Sequence, residues 1–215
     1  CLPSVSLGDQ ALGLIRRWTE ALALALKVQG LINLQFAVQR NAAGEEVVYI
    51  IEANPRASRT VPFVAKATGV PLARVATRLM TGETLAEVGL TQEPKPPLQA
   101  VKEAVLPFRR FPGADSVLGP EMRSTGEVMG SSHDFGLAYA KAKLAAGDAL
   151  PTSGRVFLST HDRDKQALVP VAQRLIELGF ELTATSGTAK TLTDAGLSVT
   201  SVLKVHEGRP NIEDQ

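Results

Sequence analysis

Two segments with a strict two-residue period, 31–39 and 47–54, constrain this chain more than anything else in it. In "LINLQFAVQ", Ile32, Leu34, Phe36 and Val38 fall on one side and Asn33, Gln35, Ala37 and Gln39 on the other. That alternation belongs to a half-buried strand. "NAAGE" supplies a glycine-containing turn, so "VVYIIEAN" (47–54) is expected to return as the antiparallel partner. A symmetric turn sets position 35 opposite position 52 and gathers Gln35, Glu52 and Asn54 on one face of the sheet.

The rest of the first region reads as helices and loops around that hairpin. Asp9 is a candidate N-cap for a helix over 10–29 ended by Gly30, with Leu12, Ile15, Leu22 and Leu26 as its apolar stripe and Trp18 at the edge. Two helical segments, 62–68 and 71–80, each carry proline near the start, and Gly82 stops the second. "QEPKPPLQ" (92–99) reads as a linker and "AVKEAVLPF" (100–108) as a strand. The segment 111–130 is rich in Gly and Pro and is expected to be irregular, a kind of stretch that often carries function. A helix over 134–146 closes at Gly147.

At "LPTSG" (150–154) the pattern changes. "RVFLST", "FELTAT" and "LSVTSVLKV" read as strands, separated by the helices "KQALVPVAQRLIELG" and "SGTAKTLTDAG". Strands alternating with helices imply a parallel, doubly wound sheet. The expected class is therefore α/β: an α+β portion over residues 1–148, then a doubly wound parallel-sheet domain over 149–215.

Composition narrows the function classes. A chain of 215 residues, 44% hydrophobic and 21% charged, is neither disordered nor fibrous. A formal charge of +1 gives no reason to expect a nucleic acid or a membrane as partner. The one cysteine, Cys1, cannot form an internal disulfide and fits a reducing compartment. No apolar run approaches the ~20 residues of a membrane span, and no signal peptide is recognisable. The chain begins at Cys1 rather than Met and stops on "NIEDQ" without a recognisable element end, so it reads as a stretch of a longer protein.

"IIEANPRASRT" (50–60) is the first candidate site. Glu52 and Asn54 leave one strand face with oxygen ligands, and Gln35 adds a third acceptor across the hairpin. Hard cations such as Mg²⁺ take such oxygens while keeping phosphate and water in their shell. Arg56 and Arg59 add permanently charged forks suited to phosphate or carboxylate oxygens. Together these are the parts phosphoryl transfer requires. The competing reading is a strand end running through Asn-Pro into a turn, followed by solvated arginines.

The second candidate is "TATSGTAKTL" (183–192), which passes from a strand through Thr185, Ser186, Gly187 and Thr188 into a helix. Helix N–H groups, small hydroxyls and a glycine make an anion cradle; the hydroxyls could equally be plain N-caps. His133, His161 and His206 have no metal-ligand spacing and read as caps, loop residues or surface groups. Cys1 carries no sign of a nucleophile.

"GLINLQFAVQ" followed by "YIIEANPRASRTVPFVAKATGVPLARVATRLMTG" resembles the C-terminal part of an ATP-grasp domain, and more narrowly the carbamoyl-phosphate synthase large chain. "VKEAVLPFRRFPGAD", "LGPEMRSTGEVMG" and "KVHEGRPNI" extend the resemblance over essentially the whole chain. It implies that residues 1–148 belong to the second, carbamate-phosphorylating ATP-grasp domain. Residues 149–215 would then begin an allosteric domain resembling methylglyoxal synthase. By resemblance, Gln35, Glu52 and Asn54 hold two Mg²⁺ or Mn²⁺ ions that bridge the ATP phosphates, Gln35 and Glu52 belong to the ATP site, and K⁺ is a further possible ion. Arg56 and Arg59 would be catalytic, stabilising the transferring phosphoryl group and the carbamate.

The resemblance also places an ornithine site at Lys102, Glu103, Leu106 and Leu118. From the residues alone, Glu103 would be a surface ion-pair partner of Lys102 or a nearby arginine. It further places a UMP or IMP phosphate site at Lys165, Thr185, Thr188 and Lys204. The whole enzyme so implied is a cytoplasmic ligase of arginine and pyrimidine biosynthesis, making carbamoyl phosphate from bicarbonate, ammonia and ATP. It works with a glutaminase small subunit, in an oligomer of heterodimers. The 215-residue chain alone is expected to be inactive, because the adenine-binding part of the ATP-grasp fold would precede it. Two rivals stay open: another ATP-grasp carboxylase or ligase, and a non-catalytic effector-binding module.

Overall fold

A glycine-bearing turn and a side-chain clamp start the hairpin. In the computed structural model, Asn41 Oδ1 accepts from the Ala43 and Glu45 amides at 3.0 and 2.9 Å, and Gly44 takes a φ of 82°. The structure describes all residues except 112, 114–116, 120, 210 and 215, and the side chains of Arg109 and Glu213 are likewise undescribed. The chain divides into two compact units, Cys1–Ala149 and Leu150–Gln215.

In the first unit, β1 (Asn33–Arg40) and β2 (Glu46–Asn54) pair antiparallel, and helix α1 (Asp9–Ala25) packs on both. The turn pairs Arg40 with Glu46 and Phe36 with Ile50, a register that alone would set Gln35 opposite Ile51. A bulge between Gln35 and Phe36 makes Ile51 the extra residue, so that Gln35 faces Glu52 and Asn33 faces Asn54. Helix α1 is shorter than its apolar stripe suggests. Asp9 is its first helical residue rather than its cap, which is Gly8; there its carboxylate still meets the positive end of the helix dipole. At the other end Lys27 sits at φ 50°, and Val28 and Lys27 donate to Ala23 and Leu24 oxygens, a Schellman closure that stops the helix before Gly30.

Helices α2 (Thr60–Thr68) and α3 (Leu72–Met80) follow, with Gly69 in the left-handed conformation closing α2. Strand β3 (Gln99–Val105) then pairs antiparallel with β4 (Gly126–Ser132), and α4 (Phe135–Ala145) covers them. Two expectations change here. The strand read as 100–108 ends at Val105 and gives way to a 3-10 turn at Phe108–Arg110; Pro107 has no N–H to continue a ladder. The segment read as irregular over 111–130 ends in a strand, while 112, 114–116 and 120 lie outside the described residues. Gly130 inside that strand is a packing device: a Cβ there would stand 2.1 Å from Ala138 O and 2.4 Å from Ala142 N. The small core of Val101, Ala138 and Ala142 forms on that close approach. Asp134 caps α4, accepting from the Leu137 amide at 2.8 Å.

The second unit is a three-stranded parallel sheet in the order β5 (Gly154–Leu158), β6 (Phe180–Thr185), β7 (Thr200–Val202). Helices α5 (Lys165–Glu177) and α6 (Ser186–Asp194) pack on the sheet and on each other. Their shared core is Ala172, Leu182 and Leu192, flanked by Val156, Leu158, Leu168 and Leu197. Strand β7 is shorter than the apolar run 197–205 that announced it, because pairing to β6 covers only Thr200–Val202. Mixed helices and strands with a parallel sheet make the chain α/β, as its pattern implies.

Candidate functional site

The hairpin end brings the predicted triad together. Gln35 Nε2 donates to Glu52 Oε1 at 2.6 Å, and Asn54 Nδ2 donates to the same oxygen at 2.8 Å. Gln35 and Glu52 are exposed, and Asn54 is half-buried. The donor set suits a hard cation: one carboxylate and two amide oxygens within reach of one point. Each amide now turns its nitrogen to the carboxylate, so rotation about its last side-chain bond would present the oxygen instead. Among the described residues no group of three His, Cys, Asp or Glu could hold a metal, so any cation here depends on the two amides.

Arg56 and Arg59 follow on the turn into α2, and both are exposed. The Arg56 amide donates to Asn54 O at 2.8 Å and its guanidinium to Ala57 O at 3.2 Å. The Arg59 guanidinium meets Met122 Sδ. Permanent cations therefore stand directly beyond the triad, on a loop that is not packed away from solvent.

A second cluster lies around β3 and α4. A cavity of about 440 Å³ is lined by Glu103, Leu106, Arg110, Thr125, Lys143 and Asp148 among others. Lys143 Nζ lies 2.6 Å from Asp148 Oδ2 and 3.3 Å from Glu103 Oε1. Hydrogen bonds to Asp148 first and Glu103 second raise the Lys143 pKa above the ordinary lysine value. Of the four residues expected together here, Glu103 and Leu106 share the cavity. Lys102, its neighbour on a pleated strand, points to the other face and pairs with Glu127 at 3.3 Å. Leu118 is 64% exposed and does not line the cavity. The expected pairing of Glu103 with Lys102 or an arginine is thus replaced by one with Lys143. Lys143 and Asp148 were not singled out in the sequence; a lysine in the last turn of a helix with an acid just past its closing glycine was the signal.

The third cluster sits at the carboxyl ends of β5 and β6, where parallel sheets place their ligands. Thr185 and Thr188 are 5% and 1% exposed. Thr185 does not use its hydroxyl as a cap for α6. That oxygen instead lies 3.2 Å from Ser159 Oγ and 3.5 Å from Thr188 Oγ1. The Thr160 amide donates to Thr188 Oγ1 at 3.4 Å.

Lys165 reaches over the start of α6, where a Cβ on Gly187 would lie 2.7 Å from its Nζ. Its ammonium pairs with Asp162 Oδ1 at 2.6 Å, which lowers the Asp162 pKa. Charge on Lys204 lowers it slightly further, so Lys204 belongs to the same neighbourhood. The cluster therefore joins hydroxyls, a lysine and a glycine-lined helix start. Ser159, Thr160 and Asp162 escaped sequence reading, although "STHD" directly follows a β5 strand end. His161 accepts from the Arg163 amide through Nδ1 at 3.4 Å, a local cap.

No helix among the described residues is long and apolar enough to cross a membrane. Residues 1–88 match the family described as carbamoyl-phosphate synthase L chain, ATP binding domain, and residues 167–215 match the MGS-like domain. The chain is 60% identical over 214 residues to the carbamoyl phosphate synthase large chain of a Synechocystis species, covering 99% of this chain and 19% of that one. It is 59% identical over 213 residues to the large chain of a Nostoc species, with 99% and 19% covered. The Acidobacterium capsulatum large chain is 57% identical over 219 residues, with 99% and 20% covered. The chain thus spans about a fifth of the length of the curated relatives it matches. Two family matches on successive stretches, and relatives this similar across nearly every residue, show that the chain belongs to the carbamoyl phosphate synthase large-chain family.

Proposed function

We propose that this chain is the part of a carbamoyl phosphate synthase large chain that phosphorylates carbamate and receives allosteric effectors. Residues 1–148 are then the C-terminal part of the second ATP-grasp domain, and 149–215 the start of the methylglyoxal-synthase-like domain. The observation that carries the reading is the convergence of Gln35 and Asn54 on Glu52 Oε1, within 2.6 and 2.8 Å, on a family-matched hairpin.

In that role Glu52, with the Gln35 and Asn54 oxygens turned inward, holds Mg²⁺ or Mn²⁺, and Gln35 and Glu52 border the ATP phosphates. The ions would neutralise phosphate charge and hold the terminal phosphoryl group in line. Arg56 and Arg59 orient the carbamate and balance the charge on the transferring group. Exposure of the triad is consistent with a site finished by the ligand and by other parts of the full-length chain. Ammonia would come from a glutaminase small subunit. Glu103 and Leu106 would meet ornithine, while Lys165, Thr185, Thr188 and Lys204 would take a UMP or IMP phosphate.

The assay isolates the step: ATP formation from ADP and carbamoyl phosphate, with carbamate released, by the full-length chain carrying this stretch. Glu52→Gln is expected to slow it by about 100-fold or more, the scale of a lost electrostatic stabiliser at a transition state. An unchanged rate would remove the triad from the chemistry. A second reading, an effector-binding module, is favoured by one contrast: the threonine cradle is buried and preformed, whereas the hairpin triad is open. Calorimetry separates the two, since UMP binding without Mn²⁺·ATP binding by the full-length chain supports the module.

A further inference from the structure

We propose that Asp162 is an internal competitor for Lys165, and that its carboxylate sets how tightly the threonine cradle holds a phosphate. The inference rests on the reading of that cradle as a phosphate seat and adds a residue that tunes it from outside.

Ser159, Thr160, Thr185 and Thr188 are neutral, so positive charge at the cradle comes from the bases set around it. Lys165 is the first residue of α5 and leans over the start of α6, where a Cβ on Gly187 would lie 2.7 Å from its Nζ. The short 3-10 turn Asp162–Asp164 comes just before it. Spacing of i to i+3 returns the Asp162 carboxylate to that same ammonium, with Oδ1 and Nζ 2.6 Å apart. Lys165 is the main cause of the lowered Asp162 pKa, and the charges of His161 and Lys204 act in the same direction. A carboxylate within reach of three basic side chains is itself the anion they serve.

The two partners are unequally held. The Lys165 side chain is 17% exposed and that of Asp162 is 89% exposed. The lysine is therefore seated, while the aspartate can swing into water and be hydrated there at little cost. A phosphate entering the cradle brings up to two charges and three acceptor oxygens against the single charge of a carboxylate. It takes the ammonium, and Asp162 leaves. Hydrogen-bonding capacity stands ready on the same side. Thr183, wholly buried two positions before Thr185 on the same strand face, has no partner for its hydroxyl among the described residues. Neither has the buried hydroxyl of Thr160, whose amide donates to Thr188. The cradle thus has hydroxyls to spare, and its lysine is the contested group.

The test is calorimetry of UMP on the full-length chain carrying this stretch, unaltered and as Asp162→Asn, Asp162→Ser and Asp164→Asn. Asp164 carries the same charge in the same turn but lies 3.5 Å from Arg163 instead of meeting Lys165, so it controls for net charge. Both Asp162 variants are expected to tighten UMP by about three- to tenfold, the scale of one exposed ion pair together with the repulsion it removes. Asp164→Asn should change affinity by less than about twofold. Circular dichroism confirms the fold, and the serine variant guards against a new hydrogen bond made by the asparagine. Equal or weaker UMP binding by the folded Asp162 variants overturns the proposal and makes Asp162 a positioning residue for Lys165. A comparable gain in Asp164→Asn overturns it too, because net charge rather than contact would then be at work. UMP binding by none of the proteins, the unaltered chain included, overturns the phosphate reading of the cradle and this inference together.

Discussion

The hairpin triad and the threonine cradle use similar polar side chains in opposite ways. At the hairpin, Glu52 and Gln35 stand in solvent and, among the described residues, their side chains are held by one another and by Asn54. In the cradle, Thr185 and Thr188 are almost wholly buried, and the strand-to-helix junction dictates where their oxygens lie. An exposed cluster keeps rotamer freedom and can re-aim its amides toward a cation. A buried cluster has already surrendered that freedom and offers a fixed seat. The first suits chemistry in which ligands arrive and leave; the second suits recognition.

Glycines make the same contrast testable, and the largest effect is expected in the first unit. At Gly130 a Cβ meets backbone, with Ala138 O at 2.1 Å and Ala142 N at 2.4 Å. Gly130→Ala should therefore destabilise the first unit by about 3 kcal/mol or more, since a helix must move off its sheet. Thermal unfolding followed at Trp18 checks it; a shift under 1 °C would mean that α4 is not seated as described.

Gly187→Ala should behave differently, because the Cβ there meets the tip of a flexible lysine at 2.7 Å rather than backbone. Alanine is the better helix former by up to about 1 kcal/mol, so stability should hold or rise slightly. The ammonium must nevertheless leave the start of α6, and affinity for UMP or inorganic phosphate should fall about tenfold by calorimetry. Unchanged affinity would separate Lys165 from the anion seat and weaken the contrast between the two sites.

The smallest effect concerns Asp162. Its folded pKa lies below the ordinary carboxylate value because of Lys165, so the pair stabilises above that ordinary value. The contribution fades as pH falls through the lower, folded pKa. Asp162→Asn should therefore lower the second unit's melting temperature slightly at pH 7 and by less near pH 2. An equal difference at both pH values would show a packing effect rather than a charge effect.

Much of this was legible in the residues. Period-two segments announced the hairpin, Asp134 and Gly147 bracketed α4, and alternating strands and helices announced the parallel sheet. The family itself was carried by long motifs such as "IIEANPRASRT", and the matched relatives agree with it. Less legible were elements whose signal lies in packing. Strand β4 was hidden by Gly126 and Gly130, residues that usually mark loops, because its glycine is needed for helix contact rather than for a turn. Helix α1 stopped early because Lys27 accepted a left-handed conformation, and no propensity marks a lysine for that.

Sequence alone determined which side chains could share a face, since strand period and residue chemistry are local properties. It set Glu52 and Asn54 together and supplied the arginines after them. The expected pairing of Gln35 with Glu52 is the observed one, but what produces it was decided only in three dimensions. The turn by itself would pair Gln35 with Ile51, and the bulge that moves Glu52 into place is a property of the paired strands. The same holds for Glu103, whose partner is the lysine 40 positions away rather than its chain neighbour. Pleating sends adjacent side chains to opposite faces, and only helix packing says what waits on each.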